Sequence, residues 1–141
     1  MHVAYALLAD TATSGGRGKL NIIGTFNRIW APDFPSVHGR MALVVRLEGH
    51  VTEAGEHTLE IQYVNQDGQE IAGGPPQIPF RLNKENRLPG APLSQQVMME
   101  INNLPLPEAG VYEFAIKVDG TYLDSIPLYV QQLEAGNAPG S

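Results

Sequence analysis

The sequence predicts an all-β domain, a single antiparallel β-sandwich of about eight or nine strands. Three observations lead there. The phrase Glu-Ala-Gly occurs twice, at Glu53-Ala54-Gly55 and Glu108-Ala109-Gly110. The first copy continues as Glu56-His57-Thr58-Leu59-Glu60-Ile61, the second as Val111-Tyr112-Glu113-Phe114-Ala115-Ile116. Both runs alternate with period two, the signature of a half-buried strand. Each is followed by an Asp-Gly pair, Asp67-Gly68 and Asp119-Gly120, which signals a hairpin turn. Finally, no segment of useful length has helical period, and 15 glycines and 11 prolines punctuate the apolar runs.

The elements follow in order. Val3 to Asp10 reads as a first strand buried on both faces. It is apolar, but no basic segment precedes it and it runs into Asp10, so a signal peptide is not the reading. Thr11 to Gly18 is expected to be a flexible polar loop. Lys19 to Trp30 reads as one long strand with Leu20, Ile22, Phe26 and Trp30 on one face; Gly24 interrupts that face, where a bulge or close backbone approach fits. Ala31-Pro32-Asp33-Phe34-Pro35 cannot stay in a central ladder, because each proline lacks an N–H. Arg40 to Gly49 directs Met41, Leu43, Val45 and Leu47 inward. A turn over Thr52 to Glu56 leads to a strand from His57 to Val64, with Leu59, Ile61 and Tyr63 inward. A short return strand is expected around Gln69 to Ala72, ended by Gly73-Gly74-Pro75-Pro76. Ile78, Phe80 and Leu82 mark a further strand, and Asn83 to Pro92 a polar loop. Gln95 to Leu104 carries Val97, Met99 and Ile101 on one parity. Tyr112 to Val118 and the strand of Ile126, Leu128 and Val130 complete the set. The domain is expected to span residues 1–132, with a flexible tail over 133–141.

The register of the last hairpin can be derived. Directly opposed residues of an antiparallel pair share a face. A strict two-residue loop at Asp119-Gly120 would set Phe114 against Ser125. One more loop residue sets Phe114 against Ile126 and Tyr112 against Leu128. Each large side chain buried in that way contributes about 1.5–3 kcal/mol. A three-residue loop with Gly120 at positive φ is therefore expected.

Composition narrows the function. The 141 residues suit one domain, large enough to form a core without disulfides. The chain has no cysteine, which suits a reducing compartment and a cytoplasmic location. Nine Lys and Arg against 15 Asp and Glu give a net charge of −6. That balance disfavours nucleic acid and anionic membrane surfaces, both of which need clustered positive charge. No stretch approaches the ~20 apolar residues of a membrane span.

Two resemblances add to these readings. Glu108-x-Gly110-x-Tyr112-x-Phe114 resembles the segment that opens the penultimate strand of immunoglobulin-like sandwiches, so the domain is expected to be immunoglobulin-like in outline. The resemblance implies that Tyr112 is a corner residue whose hydroxyl returns to upstream backbone. Phe114 stands where antibody domains carry a cysteine, so their disulfide is absent. More broadly, Ala6-Leu7-Leu8-Ala9-Asp10, Gly18-Lys19-Leu20-Asn21-Ile22-Ile23-Gly24-Thr25-Phe26 and Ala31-Pro32-x-x-Pro35 resemble a family of small single-domain bacterial proteins of unknown function. That similarity spans most of residues 3–130. It implies a compact β-sandwich and no known chemistry.

Chemical constellations are sparse. His50 and His57 flank one turn with Glu53 and Glu56 between them. The inward residues of both flanking strands are odd-numbered, so opposed residues have an even sum; the two rings then fall on opposite faces and, unless a bulge intervenes, do not share a metal. The repeat also aligns His57 with Tyr112, a corner position. Ser14-Gly15-Gly16-Arg17-Gly18-Lys19 resembles a phosphate loop but fails the G-x-x-x-x-G-K-[ST] spacing, with Leu20 in place of the hydroxyl. It also leads into a strand, not a helix N-terminus. Asp10, Asp33 and Asp124 lie near strand ends, and nothing in their spacing brings two of them together. There is no cysteine nucleophile and no serine elbow. No cofactor, no metal and no enzymatic activity are expected.

The best binding candidate is Trp30 to His38 (WAPDFPSVH), with Trp30, Asp33, Phe34 and His38 as its site residues. It holds the only tryptophan. Rigid aromatic rings on a proline-stiffened loop lose little entropy on docking. The plain alternative is that Trp30 and Phe34 plug the end of the sandwich. The leading functional expectation is a noncatalytic protein-binding or assembly module, with a homodimer as one form of that partnership. The alternative is a small-ligand or carbohydrate-binding sandwich using the same loop.

Overall fold

Alternation tells each strand which face to bury, and the computed structural model, which describes residues 1–85 and 88–133, shows how those faces meet. The described residues form nine strands: β1 His2–Gly16, β2 Lys19–Phe26, β3 Arg28–Ala31, β4 Ser36–Gly49, β5 Gly55–Val64, β6 Ile78–Leu82, β7 Leu93–Leu106, β8 Gly110–Val118 and β9 Thr121–Gln132. They make two sheets, a four-stranded one ordered β2-β1-β4-β7 and a five-stranded one ordered β3-β9-β8-β5-β6. Between the sheets, Met41, Leu43, Val45 and Leu47 of β4 and Val97, Met99 and Ile101 of β7 join one buried cluster with Leu59, Ile61 and Tyr63 of β5, Tyr112, Phe114, Ile116 and Val118 of β8, and Ile126, Leu128 and Val130 of β9. The fold is all-β and sandwich-like, as expected.

The two Glu-Ala-Gly copies become neighbours. β5 pairs antiparallel with β8, and the equivalent residues Ile61 and Ile116 stand directly opposite each other. The copies are thus related by a local two-fold between those isoleucines. Each strand begins at a glycine of positive φ, +124° at Gly55 and +156° at Gly110. The corners match as well. The Tyr112 hydroxyl donates to the Glu108 carbonyl at 2.6 Å. The Nε2 of His57 lies 2.6 Å from the Glu53 carbonyl, the same four-residue return.

Several expectations are corrected. Thr11 to Gly16 is not a loop: it continues β1 and pairs with β2 through a hairpin turn at Arg17-Gly18. Lys19 to Trp30 is not one strand. It leaves the four-stranded sheet after Phe26 and joins the five-stranded sheet at Arg28, reversing parity, so that Ile29 and Ala31 are buried and Trp30 is not. The sheets are not wholly antiparallel, since β3 runs parallel to β9. β4 and β5 do not pair: a short 3-10 turn at Val51–Glu53 carries the chain from one sheet to the other. The return strand at Gln69 to Ala72 reduces to a single bridge between Val64 and Glu70.

The last hairpin corrects the reasoning but keeps the result. Phe114 faces Ile126 and Tyr112 faces Leu128, as expected. The turn, however, has two residues, Asp119 and Gly120, with φ of +51° and +83°. Val118 pairs with Thr121 and Lys117 with Tyr122, after which Ile116 pairs with Asp124. The extra residue is therefore Leu123, in a bulge inside β9, where it packs against the core. The β4–β7 ladder skips a position, without changing register, between the pairs Arg40–Asn102 and His38–Leu104. Asn103 there has φ +54°, and the buried positions of β7 pass from Ile101 to Leu104 and Leu106. Of the expected tail, residues 134–141 lie outside the described residues, and the Leu133 N–H donates to the Ala31 carbonyl at 2.7 Å.

Candidate functional site

β3 is a short edge strand, and its position follows from the break before it. Asn27 interrupts the ladder, and its carbonyl accepts the Tyr129 N–H at 2.8 Å, which starts the parallel pair with β9. Ile29 then points into the core. Trp30, one residue on, points out and is 40% exposed. Beside it lies a cleft of about 330 Å³ lined by Asp10, Phe26, Arg28, Ile29, Trp30, His38 and Leu133.

Each wall has a local cause. Phe26 ends β2, and His38 approaches from the start of β4; their ring centroids are 5.7 Å apart at 51°. His38 Nε2 is buried and has no hydrogen-bond partner. Asp10 of β1 crosses Gly24 of β2 so closely that a Cβ there would collide with its carboxyl group. Gly24 also has φ +73°. A close approach does occur at this glycine, but by the Asp10 side chain rather than by a neighbouring backbone. Arg28 lies with its guanidinium carbon 5.8 Å from the centre of the Tyr129 ring, a distance that allows a weak cation–π contact.

The structure divides the segment Trp30 to His38. Trp30 and His38 meet in the cleft. Phe34, joined to Pro35 by a cis peptide, is half-buried against the core, and Asp33 is exposed in the bend; neither lines the cleft. Of the two rings, Phe34 packs against the core and Trp30 does not. Asp10, Phe26, Arg28 and Leu133 were not read from sequence as site residues. Gly24 was the one signal available, since it marks the crossing that places Asp10. Nothing marked Leu133, which arrives through the parallel pairing. Chemically, the cleft offers aromatic and aliphatic walls with one carboxylate, one guanidinium and one imidazole. Such a surface suits recognition of an apolar group flanked by polar ones.

His50 and His57 each have their own hydrogen-bond partners, and the strand pairing from which their divergence was expected is absent. His50 caps the 3-10 turn: its side chain accepts the Thr52 N–H, and Glu53 accepts the His50 N–H at 3.0 Å. His57 stacks on Phe80, with centroids 5.5 Å apart, and its Nδ1 lies 2.6 Å from Asp119 Oδ2. Asp119 Oδ1 accepts the Thr58 N–H at 2.8 Å. Burial disfavours the charged ring, but the hydrogen bonds to Asp119 and the Glu53 carbonyl, with their charges, outweigh it and raise the His57 pKa. The hydrogen bonds from His57 and Thr58 hold Asp119 below the usual carboxylate range. Asp10 lies within β1 and Asp33 just after β3, whereas Asp124 sits at the β9 bulge. Among the described residues, no three His, Asp or Glu side chains gather as a metal site, and no helix is long and apolar enough to cross a membrane.

No curated protein and no solved structure matches the chain at a significant level. A family model does match, over residues 4–131, nearly the whole two-sheet body just described and close to the span of the resemblance read from the sequence. The chain thus belongs to that family, a family of unknown function (DUF6941).

Proposed function

We propose that this protein is a noncatalytic binding module that captures another protein through the cleft beside Trp30. One observation carries the reading: the chain's single tryptophan is 40% exposed on an edge strand, next to a concave apolar surface of about 330 Å³. Tryptophan is the residue most enriched at binding hot spots, because its large rigid ring buries much area with few torsions to freeze. A short edge strand adds unpaired backbone that a partner strand can use. An immunoglobulin-like outline goes with this reading, supported by the Tyr112 corner and by the strand laid parallel beside the last strand. A reducing, cytoplasmic setting suits a chain without cysteine.

A second reading, a small-ligand or carbohydrate site in the same cleft, is favoured by the polar groups of Asp10 and Arg28 at the margin of the exposed ring. Affinity capture from the native host, with the wild type beside Trp30→Ala, separates the two. The protein-binding reading expects a partner that the variant loses while its circular dichroism and melting stay unchanged. Capture of the same proteins by both forms sinks it. Light scattering shows whether the partner is a second copy. A saturable change in Trp30 fluorescence against a glycan panel supports the second reading instead, and a flat response ends that one.

A further inference from the structure

Of the chain's 9 lysines and arginines, three line a single cleft. It holds about 560 Å³ on the outer side of the four-stranded sheet, and its walls include Ser14, Arg17 and Lys19 of the β1–β2 hairpin, Arg46 of β4, and Ser94 and Gln96 of β7. The hairpin reaches that far because of its backbone. Ser14 pairs with Leu20 and Gly16 with Lys19, so Gly15 is an extra residue. A bulge of this kind bends and twists the ribbon. Gly16, Arg17 and Gly18 then take φ of +80°, +54° and +74°, a left-handed run that curls the tip.

The curled tip is tied down. With the Gln96 amide oriented to satisfy both its atoms, its nitrogen donates to the Gly18 carbonyl at 3.0 Å. Its oxygen accepts from the Tyr5 hydroxyl at 3.0 Å and from Arg46 Nη1 at 3.3 Å. The hairpin, separated from β7 by β4 in the sheet order, thereby closes over the sheet and brings Arg17 and Lys19 to the same cleft as Arg46.

These cations are not answered within the site. Among the described residues Arg17 and Lys19 form no ion pair, and Arg46 has only Glu48, at 3.4 Å, which does not line the cleft. Bringing three like charges into one concavity of a chain with net charge −6 costs repulsion that a bound anion would remove. We propose that this cleft binds a small multivalent anion bearing phosphate or carboxylate groups. The arginine forks present paired N–H donors to two oxygens at once, and Lys19 supplies a point charge. The hydroxyl protons of Ser14 and Ser94 are further donors. The resemblance of Ser14 to Lys19 to a phosphate loop thus finds a different physical form, in which a strand hairpin and a neighbouring arginine replace the helix N-terminus.

The test is calorimetric titration of the full chain with inorganic pyrophosphate and with citrate, against sodium chloride of matched ionic strength. Saturable binding of either anion is expected, weakened by ~10-fold or more in the Arg17→Ala/Lys19→Ala double variant and in Arg46→Gln. Preference for pyrophosphate assigns a phosphate ligand, and preference for citrate a polycarboxylate. The hairpin substitutions fall on exposed residues, so unchanged circular dichroism and melting of the unliganded double variant establish that its fold is intact. No saturable response beyond the matched salt, or equal affinity in the double variant, overturns the proposal.

Discussion

At the residue scale, the corners of the two repeats are built from different side chains with different chemistry. Tyr112 donates one hydroxyl bond to Glu108, and Tyr63, stacked on it with centroids 5.4 Å apart, donates to the Pro105 carbonyl of the opposite sheet at 2.8 Å. Burial raises the pKa of both hydroxyls, so they remain donors through the physiological range. Tyr63→Phe is expected to cost about 0.5–1.5 kcal/mol in denaturant unfolding, because it removes the hydroxyl bond to the partly buried Pro105 carbonyl. His57, by contrast, faces two acceptors, the Asp119 carboxylate and the Glu53 carbonyl, which both ring nitrogens satisfy only as the imidazolium. A pKa raised above 6.5 means that this stabilisation is full below that value and is lost as pH rises through the folded-state pKa. Asp119, lowered from 3.8, contributes above that value and loses its contribution as pH falls through its own depressed pKa. Melting temperature should therefore hold level between about pH 4 and 6.5 and step down above it. The step is small, since Asp119 is 52% exposed and solvent screens the pair. His57→Gln should remove the upper step; a step of unchanged size in that variant would show that another group causes it.

At the element scale, register is decided by packing rather than by turn length. The Asp119-Gly120 turn taken alone would set Phe114 against Ser125, yet the bulge at Leu123 restores the apolar pairs Phe114–Ile126 and Tyr112–Leu128. Burying those rings outweighs the cost of one unpaired ladder position. Gly120→Val is accordingly expected to cost about 1–3 kcal/mol, since a β-branched residue does not suit φ of +83°, while the cross-strand contacts between Phe114 and Ile126 persist in nuclear Overhauser spectra. Phe114→Ala, fully buried in the same hairpin, should cost about 3–5 kcal/mol in the same unfolding measurement. A Gly120 variant that shifted Phe114 onto Ser125 would instead put the turn in control of the register.

At the scale of the whole molecule, sites arise where the chain changes sheets or folds over them. The cleft beside Trp30 exists because the segment after Phe26 leaves one sheet for the other and turns the tryptophan outward. With its ring 40% exposed, Trp30 should emit at long wavelength in the native state and be quenched readily by acrylamide. Trp30→Ala should change stability by less than about 1 kcal/mol. A blue, protected emission or a collapse of folding in that variant would place the ring in the core instead.

What the sequence by itself determined was the face each strand buries. Period-two alternation places Leu59, Ile61 and Tyr63, or Phe114, Ile116 and Val118, on one side whatever lies beside them, and the repeated Glu-Ala-Gly marks both corners before any neighbour is known. What only the tertiary structure decided was adjacency. Alternation is blind to which sheet a strand joins, so the crossing after Phe26, the parallel seat of β3 beside β9 and the separation of β4 from β5 left no local mark. The cleft beside Trp30 follows from the first two of those choices, and the cationic cleft from the fold of the β1–β2 hairpin over β4 and β7. Asp10, Phe26, Trp30 and His38, like Arg17 and Arg46, come to one cleft only because strands distant in the chain share an edge or a face, and such meetings are set by how strands are arranged within and between sheets, not by the pattern within any one strand.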